Sequence, residues 1–205
     1  MIDFPIRRAN QDMALDLLKF CFENRDYLEN YVDWAIPART WGIKEFQDFL
    51  KSFEKEKLPT ETVFIYHAGS IIGSGRIADC KPYPPQIMYF VDKDWQGKGL
   101  ATCIAKKLLE QAFQVRRYSV IEVLVDETNL ASQRVVEKIG GKKHDDWYGL
   151  PHAWKESGHM YVYRIYNPEF EHEPDSHPLS RGDRQPANYV TGAFYNYLLS
   201  FLPKT

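Results

Sequence analysis

The stretch Ile87-Met88-Tyr89-Phe90-Val91-Asp92-Lys93-Asp94-Trp95-Gln96-Gly97-Lys98-Gly99-Leu100-Ala101 decides how this chain folds. Its first five residues are apolar and predict a strand, whereas residues 99–113 carry apolar side chains at helical spacing. Glycines between a strand and a helix allow the backbone to curl and to approach a ligand closely. The unpaired N–H groups of a helix start attract phosphate oxygens, and Lys98 adds a positive charge. The stretch therefore predicts a turn that can bind a diphosphate.

A turn that only begins a helix is the other interpretation of Gly97-x-Gly99, and the pattern alone leaves it open. A Rossmann dinucleotide site is excluded, because the third glycine of its fingerprint is missing and the flanking elements are in the wrong order. A P-loop is excluded as well, because no Gly-Lys-Ser/Thr ends the turn.

On either side of this turn the sequence predicts alternating strands and helices. The predicted strands are residues 1–8, Glu61–Tyr66, Ile71–Asp79, Gln86–Val91, Ser119–Val125 and His159–Tyr166. The predicted helices are Asp12–Phe22, Lys44–Phe53, Gly99–Phe113 and Asn129–Ile139, the last closed by Gly140-Gly141. In the first helix, Leu15, Leu18 and Phe22 share one apolar face. This order predicts a mixed α/β domain of packed layers over residues 1–166.

The chain after the domain changes composition twice. Residues 167–188 hold four prolines among polar and charged residues, which predicts a linker. Residues 189–205 are apolar and aromatic again and predict a C-terminal helix that docks on the domain or on a second subunit. The sequence is therefore compatible with a homodimer as well as with a monomer.

Length and composition set the remaining bounds. The 205 residues have a formal net charge of −2, which argues against general nucleic-acid binding. No stretch approaches the roughly 18 apolar residues of a membrane span. Three widely spaced cysteines without a CxxC motif argue against a disulfide framework and a zinc ribbon, and a cytoplasmic location follows as the expectation. His152 and His159 have no evident third ligand, so no metal site is expected.

The central motifs resemble a known enzyme family. Gln96-x-x-Gly99-x-Ala101 resembles motif A of the Gcn5-related N-acetyltransferases (GNAT). The segments that follow, Val120–Val125, Asn129-Leu130-Ala131-Ser132 and Val135–Gly140, resemble the RimJ/RimL branch, which acetylates ribosomal proteins. Asn24–Leu28 and Trp34 look like that branch too. The resemblance covers about residues 1–166 and implies a three-layer fold whose mixed central sheet has splayed central strands.

The resemblance implies acetyl-CoA as the acetyl donor. Phe90 and Val91 would offer backbone groups to the pantetheine, and residues 96–101 would hold the pyrophosphate by backbone N–H groups. Asn129 would reach the pantetheine, although an asparagine there is also a good helix N-cap. Arg134 and Lys138 could meet the 3′-phosphate or simply form a solvated helix face. The full set of predicted cofactor-binding residues is Phe90, Val91, Gln96, Gly97, Lys98, Gly99, Leu100, Ala101, Asn129, Ser132, Arg134 and Lys138.

Two residues are predicted to take part in the chemistry. Many relatives carry a proton-donating Tyr seven residues after the motif Asn, but this chain has Val136 there. Ser132 is therefore the expected hydrogen-bond donor to the thioester sulfur. The attacking amine must be neutral, and a lysine-like amine has a pKa near ~10.4, so a base is useful. Glu122 is the candidate base or else a strand charge, because the region where relatives carry a Glu offers Gln86.

The acceptor is expected to be a small-molecule amine or a protein N-terminus. Tyr31, Trp34, Tyr148 and His152 lie in two aromatic segments that are predicted to flank the acceptor, with core packing as the alternative. A CoA-binding module that has lost catalysis, or an interaction protein that works through its C-terminal segment, are the rival functions.

Overall fold

The computed structural model of the chain describes residues 5–31, 40–55, 61–80, 83–148 and 159–170. Its strands are β1 (Ile6–Arg8), β2 (Glu61–His67), β3 (Ser70–Ala78), β4 (Gln86–Val91), β5 (Val120–Asp126), β6 (Lys142–Tyr148) and β7 (His159–Tyr166). Its helices are α1 (Ala14–Glu23), α2 (Arg25–Tyr31), α3 (Ile43–Lys55), α4 (Leu100–Glu110) and α5 (Leu130–Lys138). The strands form a mixed seven-stranded sheet in the order β1-β2-β3-β4-β5-β7-β6, and helices flank it. The predicted α/β class is confirmed.

The chain divides into two compact units, the first of which holds residues 1–77 and 88–108. In this unit β1, β2 and β3 pair antiparallel. Glycines on β3 make room for α4, since a Cβ on Gly75 would lie 2.8 Å from Ile104 Cγ2. The apolar stripe predicted for α4 is buried, with Ile104 5% and Leu108 6% exposed.

The buried face of α1 differs from the predicted one. Leu15 and Phe22 are 46% and 70% exposed, whereas Leu17 and Phe20 are 0% and 2% exposed. The apolar residues of α1 surround more than half of the helix, so spacing alone leaves two candidate faces. The core contacts of the neighbouring helices decide between them, because α1 packs on α3.

The second unit holds residues 78–87 and 109–170 of the described chain. β5 pairs antiparallel with β7 over its whole length, and β7 pairs with β6. The described pairing of β4 with β5 is parallel and has one register pair, Gln86↔Glu122, so it involves only the start of β4. Pairing that is limited to the start of β4 agrees with the expected splaying of the central strands, because splayed strands separate after a few residues.

The end of α5 follows the predicted glycine cap. Gly140 has φ +93°, and its N–H donates to the Glu137 carbonyl at 3.1 Å. The Gly141 N–H donates to the Val136 carbonyl at 2.9 Å, which completes a Schellman motif. A Cβ on Gly141 would lie 2.3 Å from Val136 Cγ1, so this second position needs glycine for lack of space.

Two elements have no counterpart among the predicted ones. α2 covers Arg25–Tyr31, where the aromatic and charged residues show no clear period. β6 covers the charged run Lys142–Tyr148, and it lies at an end of the strand order. Edge strands commonly carry charges, which discourage pairing with other chains, so the alternation that reveals buried strands is missing there.

Candidate functional site

The turn after β4 begins with a side-chain cap. Asp92 precedes a 3₁₀ turn over Lys93–Trp95, and its Oδ1 accepts the Asp94 N–H at 2.8 Å. The Trp95 N–H donates to the Asp92 carbonyl at 2.9 Å. Aspartate favours such a position because its short side chain bonds the backbone two residues on. These hydrogen bonds therefore define the conformation of the residues that precede Gly97 and Gly99.

Both glycines of the turn adopt left-handed backbone conformations. Gly97 has φ +70° and Gly99 has φ +80°, a region that side chains with a Cβ rarely enter. A Cβ built on either residue meets nothing within 4 Å, so the space over the turn is open. The turn is exposed, while Leu100 at its end is 5% exposed and anchors the start of α4. A ligand can therefore approach this backbone directly.

Positive charge lies beside the turn. Lys98 is exposed, and its Nζ lies 5.2 Å from the ring centroid of Trp95. The Trp95 ring also makes an edge contact with His67, at 4.9 Å between centroids. Gln96 is exposed as well, and Ala101 is half-buried in the first turn of α4. The first N–H groups of α4 and the ammonium of Lys98 therefore favour an anionic ligand.

The last two residues of β4, which precede the turn, pack against the core of the first unit. Val91 is 6% exposed, and Phe90 is half-buried. The Phe90 ring packs on Phe20 of α1 with centroids 5.4 Å apart. These contacts fix the strand end, so its backbone is presented in one arrangement.

The second unit carries the motif residues of α5. Asn129 is the N-cap, and its Oδ1 accepts the Ser132 N–H at 3.0 Å. The capping role weighed as the alternative for Asn129 is therefore observed, and it uses the side-chain oxygen only. Gln133 donates from Nε2 to the Glu127 carbonyl at 2.8 Å, which ties the first turn of α5 to the end of β5. Ser132 is half-buried in that turn.

Arg134 and Lys138 lie on the outer face of α5. Both side chains are exposed, four residues apart, while Val136 between them is 0% exposed. The arrangement suits either a phosphate or a solvated face, so both interpretations made from the sequence stay open for these two residues.

Glu122 lies in a buried ion pair. It is 0% exposed, and its Oε1 accepts from Nε of Arg164, 3% exposed, at 3.0 Å. The two residues face each other across β5 and β7. Within the described residues this carboxylate is shielded from solvent, and the Arg164 guanidinium bonds one of its oxygens. The geometry favours a structural ion pair for Glu122, and its role as base stays a prediction that the geometry does not support.

A histidine between two carboxylates is a feature that the sequence did not predict. His159 Nδ1 lies 2.6 Å from Glu127 Oε2, and its Nε2 lies 3.3 Å from Asp146 Oδ1. Lys143 lies 2.9 Å from Asp146, and this hydrogen bond raises the pKa of the Lys143 ammonium and lowers that of the Asp146 carboxyl. The cluster joins β6 and β7 to Glu127, the residue that follows β5, and no local motif predicts it because its members are far apart in the chain.

The predicted acceptor residues are only partly within the described chain. Trp34 and His152 lie outside the described residues. Tyr31 ends α2 and Tyr148 ends β6, and only their backbone positions are described. Their role at the acceptor stays a prediction.

Two features are absent from the described residues. In these parts of the chain, no group of three or more His, Cys, Asp or Glu residues is arranged to hold a metal ion. Across the same residues, no helix has the length and apolar character needed to cross a membrane.

Comparisons with known proteins give a consistent result. Residues 6–142 match the family described as the acetyltransferase (GNAT) domain. A curated relative, the probable N-acetyltransferase YjcK of Bacillus subtilis (strain 168), is 30% identical over 130 residues, which are 59% of this chain and 70% of YjcK.

Solved structures share the fold at low identity. RimL, the ribosomal L7/L12 alpha-N-protein acetyltransferase in complex with coenzyme A, has a TM-score of 0.68 at 13% identity and covers 78% of this chain and 92% of its own. The ribosomal-protein-S5-alanine acetyltransferase from Vibrio fischeri has a TM-score of 0.65 at 17% identity and covers 83% of this chain and 98% of its own.

Proposed function

We propose that this chain, which belongs to the acetyltransferase (GNAT) family, transfers the acetyl group of acetyl-CoA directly to a primary amine. Enzymes of this family use acetyl-CoA, and the RimL neighbour was solved with coenzyme A. The observation that carries the proposal is the turn between β4 and α4. Its two left-handed glycines, the open space over them and the helix start together suit a pyrophosphate.

The pyrophosphate is proposed to lie on residues 96–101. Backbone N–H groups of the turn and of the first turn of α4 would donate to its oxygens, and Lys98 would add a charge. The backbone of Phe90 and Val91 would bond the pantetheine amides. Asn129 would donate from its amide nitrogen, since capping occupies only its oxygen. Arg134 and Lys138 are the candidates for the 3′-phosphate.

The chemical step is proposed to be a direct displacement at the thioester. The amine nitrogen attacks the carbonyl carbon and forms a tetrahedral intermediate, whose oxyanion accepts from a backbone N–H near Phe90. The carbon–sulfur bond then breaks, coenzyme A leaves as a thiolate, and the amine proton passes to a base or to water. A thiol has a pKa near ~8.5, so a hydrogen bond from the Ser132 hydroxyl is enough help for the leaving sulfur.

The acceptor is proposed to be a small-molecule amine or a protein N-terminus, bound beside the segments that contain Tyr31, Trp34, Tyr148 and His152. Two structural neighbours are named as acetyltransferases of ribosomal proteins, and one of them as an alpha-N-protein acetyltransferase, so N-terminal peptides are the first acceptors to test. Residues 1–166 are proposed to form the catalytic domain, 167–188 a linker and 189–205 an accessory helix. A cytoplasmic location stays a prediction from the cysteine pattern.

Thiol release from acetyl-CoA in the presence of an amine panel tests the proposed function. The panel should contain N-terminal peptides, polyamines and aminosugars, and binding of coenzyme A should be measured in parallel by calorimetry. Thiol release that depends on one class of amine supports the proposal. Failure to bind coenzyme A at all would refute it.

A catalytically impaired CoA-binding module is the second candidate. The observation that favours it is Val136, which is 0% exposed at the position where many relatives carry a proton-donating Tyr. Tight binding of coenzyme A with no thiol release on any amine would favour this function over acetyl transfer.

A further inference from the structure

Asn24 is a buried polar residue that connects two separate parts of the first unit. It lies between α1 and α2 and is 1% exposed. Its Nδ2 donates to Asp92 Oδ2 at 2.7 Å and to the Phe20 carbonyl at 3.0 Å. Its Oδ1 accepts the Lys93 N–H at 2.8 Å. Every polar atom of this carboxamide therefore has a partner, and two of the partners belong to the turn after β4.

The contacts of Asn24 lie at the start of the turn that leads to Gly97 and Gly99. Asp92 uses Oδ1 to cap the 3₁₀ turn and Oδ2 to accept from Asn24, so both carboxylate oxygens are engaged. Lys93 adds a further link, since its Nζ donates to the Glu23 carbonyl at 2.9 Å. The Asp92 N–H donates to the Ile72 carbonyl on β3 at 2.9 Å. The start of the turn is thus held from α1 on one side and from β3 on the other.

The chemistry of the contact requires an amide. A carboxamide offers a donor and an acceptor in one plane, and the turn presents a carboxylate oxygen next to a backbone N–H. An aspartate would accept from the Lys93 N–H but would place a second carboxylate against Asp92. An apolar side chain would leave a partly buried carboxylate oxygen and a partly buried N–H without this partner, which is costly.

We propose that Asn24 is a positioning residue for coenzyme A, which holds the turn before Gly97 and Gly99 in the conformation that binds the pyrophosphate. This proposal rests on the proposed use of residues 96–101 as the pyrophosphate site. Asn24 does not itself contact the coenzyme; it acts through Asp92 and Lys93. Its carbonyl also accepts the N–H groups of Tyr27 and Leu28 at 3.1 and 2.9 Å, so the same residue begins α2.

The first experiment compares two Asn→Asp variants of the full chain by calorimetric titration with coenzyme A. Asn24→Asp keeps the acceptor for Lys93 but loses the donor to Asp92 and adds a repelling charge. The dissociation constant is expected to rise roughly tenfold or more, the range for a lost charge-assisted hydrogen bond. Asn10→Asp is the matched control, because it adds the same charge at another cap where only the side-chain oxygen is used. Its dissociation constant is expected to stay within about twofold of the wild-type value.

A rescue separates positioning from general damage to the fold. In Asn24→Asp/Asp92→Asn the donor and acceptor exchange places, so an amide at 92 donates to a carboxylate at 24 and its oxygen still caps the turn. The proposal requires the double variant to recover part of the affinity lost in Asn24→Asp; the donor to the Phe20 carbonyl is still missing, so recovery is not expected to be complete. Asp92→Asn alone, in which two amides meet, is expected to fall between the wild type and Asn24→Asp.

The outcomes are distinct. Wild-type affinity in a folded Asn24→Asp variant, or no recovery in the folded double variant, would overturn the role of Asn24 while leaving the acetyltransferase proposal intact. A wild-type protein that does not bind coenzyme A would instead refute the proposed function. If Asn24→Asp does not fold, Asn24→Ser removes the same contacts without a charge, and wild-type affinity in that variant would equally overturn the proposal.

Discussion

The turn after β4 and Glu122 both lie in motif segments, yet the turn is exposed and Glu122 is buried in its pair with Arg164. Gly97 and Gly99 are exposed, with open space where a Cβ would lie. Glu122 and Arg164 are 0% and 3% exposed and bond each other. A motif residue can act on a substrate only where a substrate can reach it. The comparison therefore favours the turn as the proposed ligand site and a structural role for the ion pair.

The largest expected effect breaks the ion pair. Arg164→Met leaves Glu122 buried without its guanidinium partner, so the free energy of unfolding should fall by about 3–5 kcal/mol. Urea unfolding followed by circular dichroism measures this change. Adding Glu122→Gln to Arg164→Met should recover part of the loss, because the uncompensated charge is removed. Normal stability in Arg164→Met would show that the pair does not have the structural role assigned here.

The next effect tests the turn. Gly99→Val forces a β-branched residue into φ +80° and fills the space over the turn. Coenzyme A affinity should fall by roughly tenfold or more, because the new side chain occupies the space proposed for the pyrophosphate and shifts the strained turn away from its binding conformation. Gly69→Val is the matched control, because Gly69 has φ +83° in the exposed hairpin turn between β2 and β3. The control should lose stability but keep its affinity, and equal losses of affinity in both variants would contradict the proposed site.

A smaller effect concerns the first turn of α5. Ser132→Ala keeps the backbone N–H that Asn129 caps, so the helix start should be unchanged, and the affinity for coenzyme A should fall by less than the rate of thiol release. Thiol release with a productive amine should fall roughly tenfold, because the leaving sulfur loses a hydrogen bond. Steady-state kinetics alongside calorimetry measures both quantities. Unchanged thiol release would remove Ser132 from the chemical step.

The smallest effect is a pH dependence of stability. The hydrogen bond from Lys143 lowers the pKa of the Asp146 carboxyl, so the pair stabilises the fold above the carboxyl's ordinary pKa near ~3.9. This stability disappears as the pH falls through the lowered pKa and the carboxylate is protonated. Asp146→Asn should therefore lower the thermal midpoint at pH 6 and match the wild type near pH 2. The difference should stay under about 1 kcal/mol, because the pair is partly exposed and screened by solvent. An equal difference at both pH values would show that charge is not its cause.

Much of the fold follows from local patterns. β4 and β7 have the bounds that the apolar runs predict, and the Gly140–Gly141 end of α5 follows from a helix cap that needs left-handed glycine. Local patterns did not predict β6, because its charged residues lack the alternation of a buried strand. They also predicted the wrong buried face of α1, because that helix has apolar residues on two faces. The position of the glycine turn was predictable, because a strand, two glycines and a helix stand next to one another in the chain.

The amino-acid sequence by itself predicted the order of most elements, the glycine turn that is proposed to bind phosphate and the family resemblance, since each depends on residues close together in the chain. Only the tertiary structure decided which partners the polar residues have. Asn24 meets Asp92 across 68 positions, Glu122 meets Arg164 across 42, and His159 meets Glu127 across 32. These contacts depend on strand register and on the docking of α1, and a local pattern carries no information about either. The degree of burial then distinguishes Glu122, a carboxylate in an ion pair, from the exposed turn of Gly97 and Gly99.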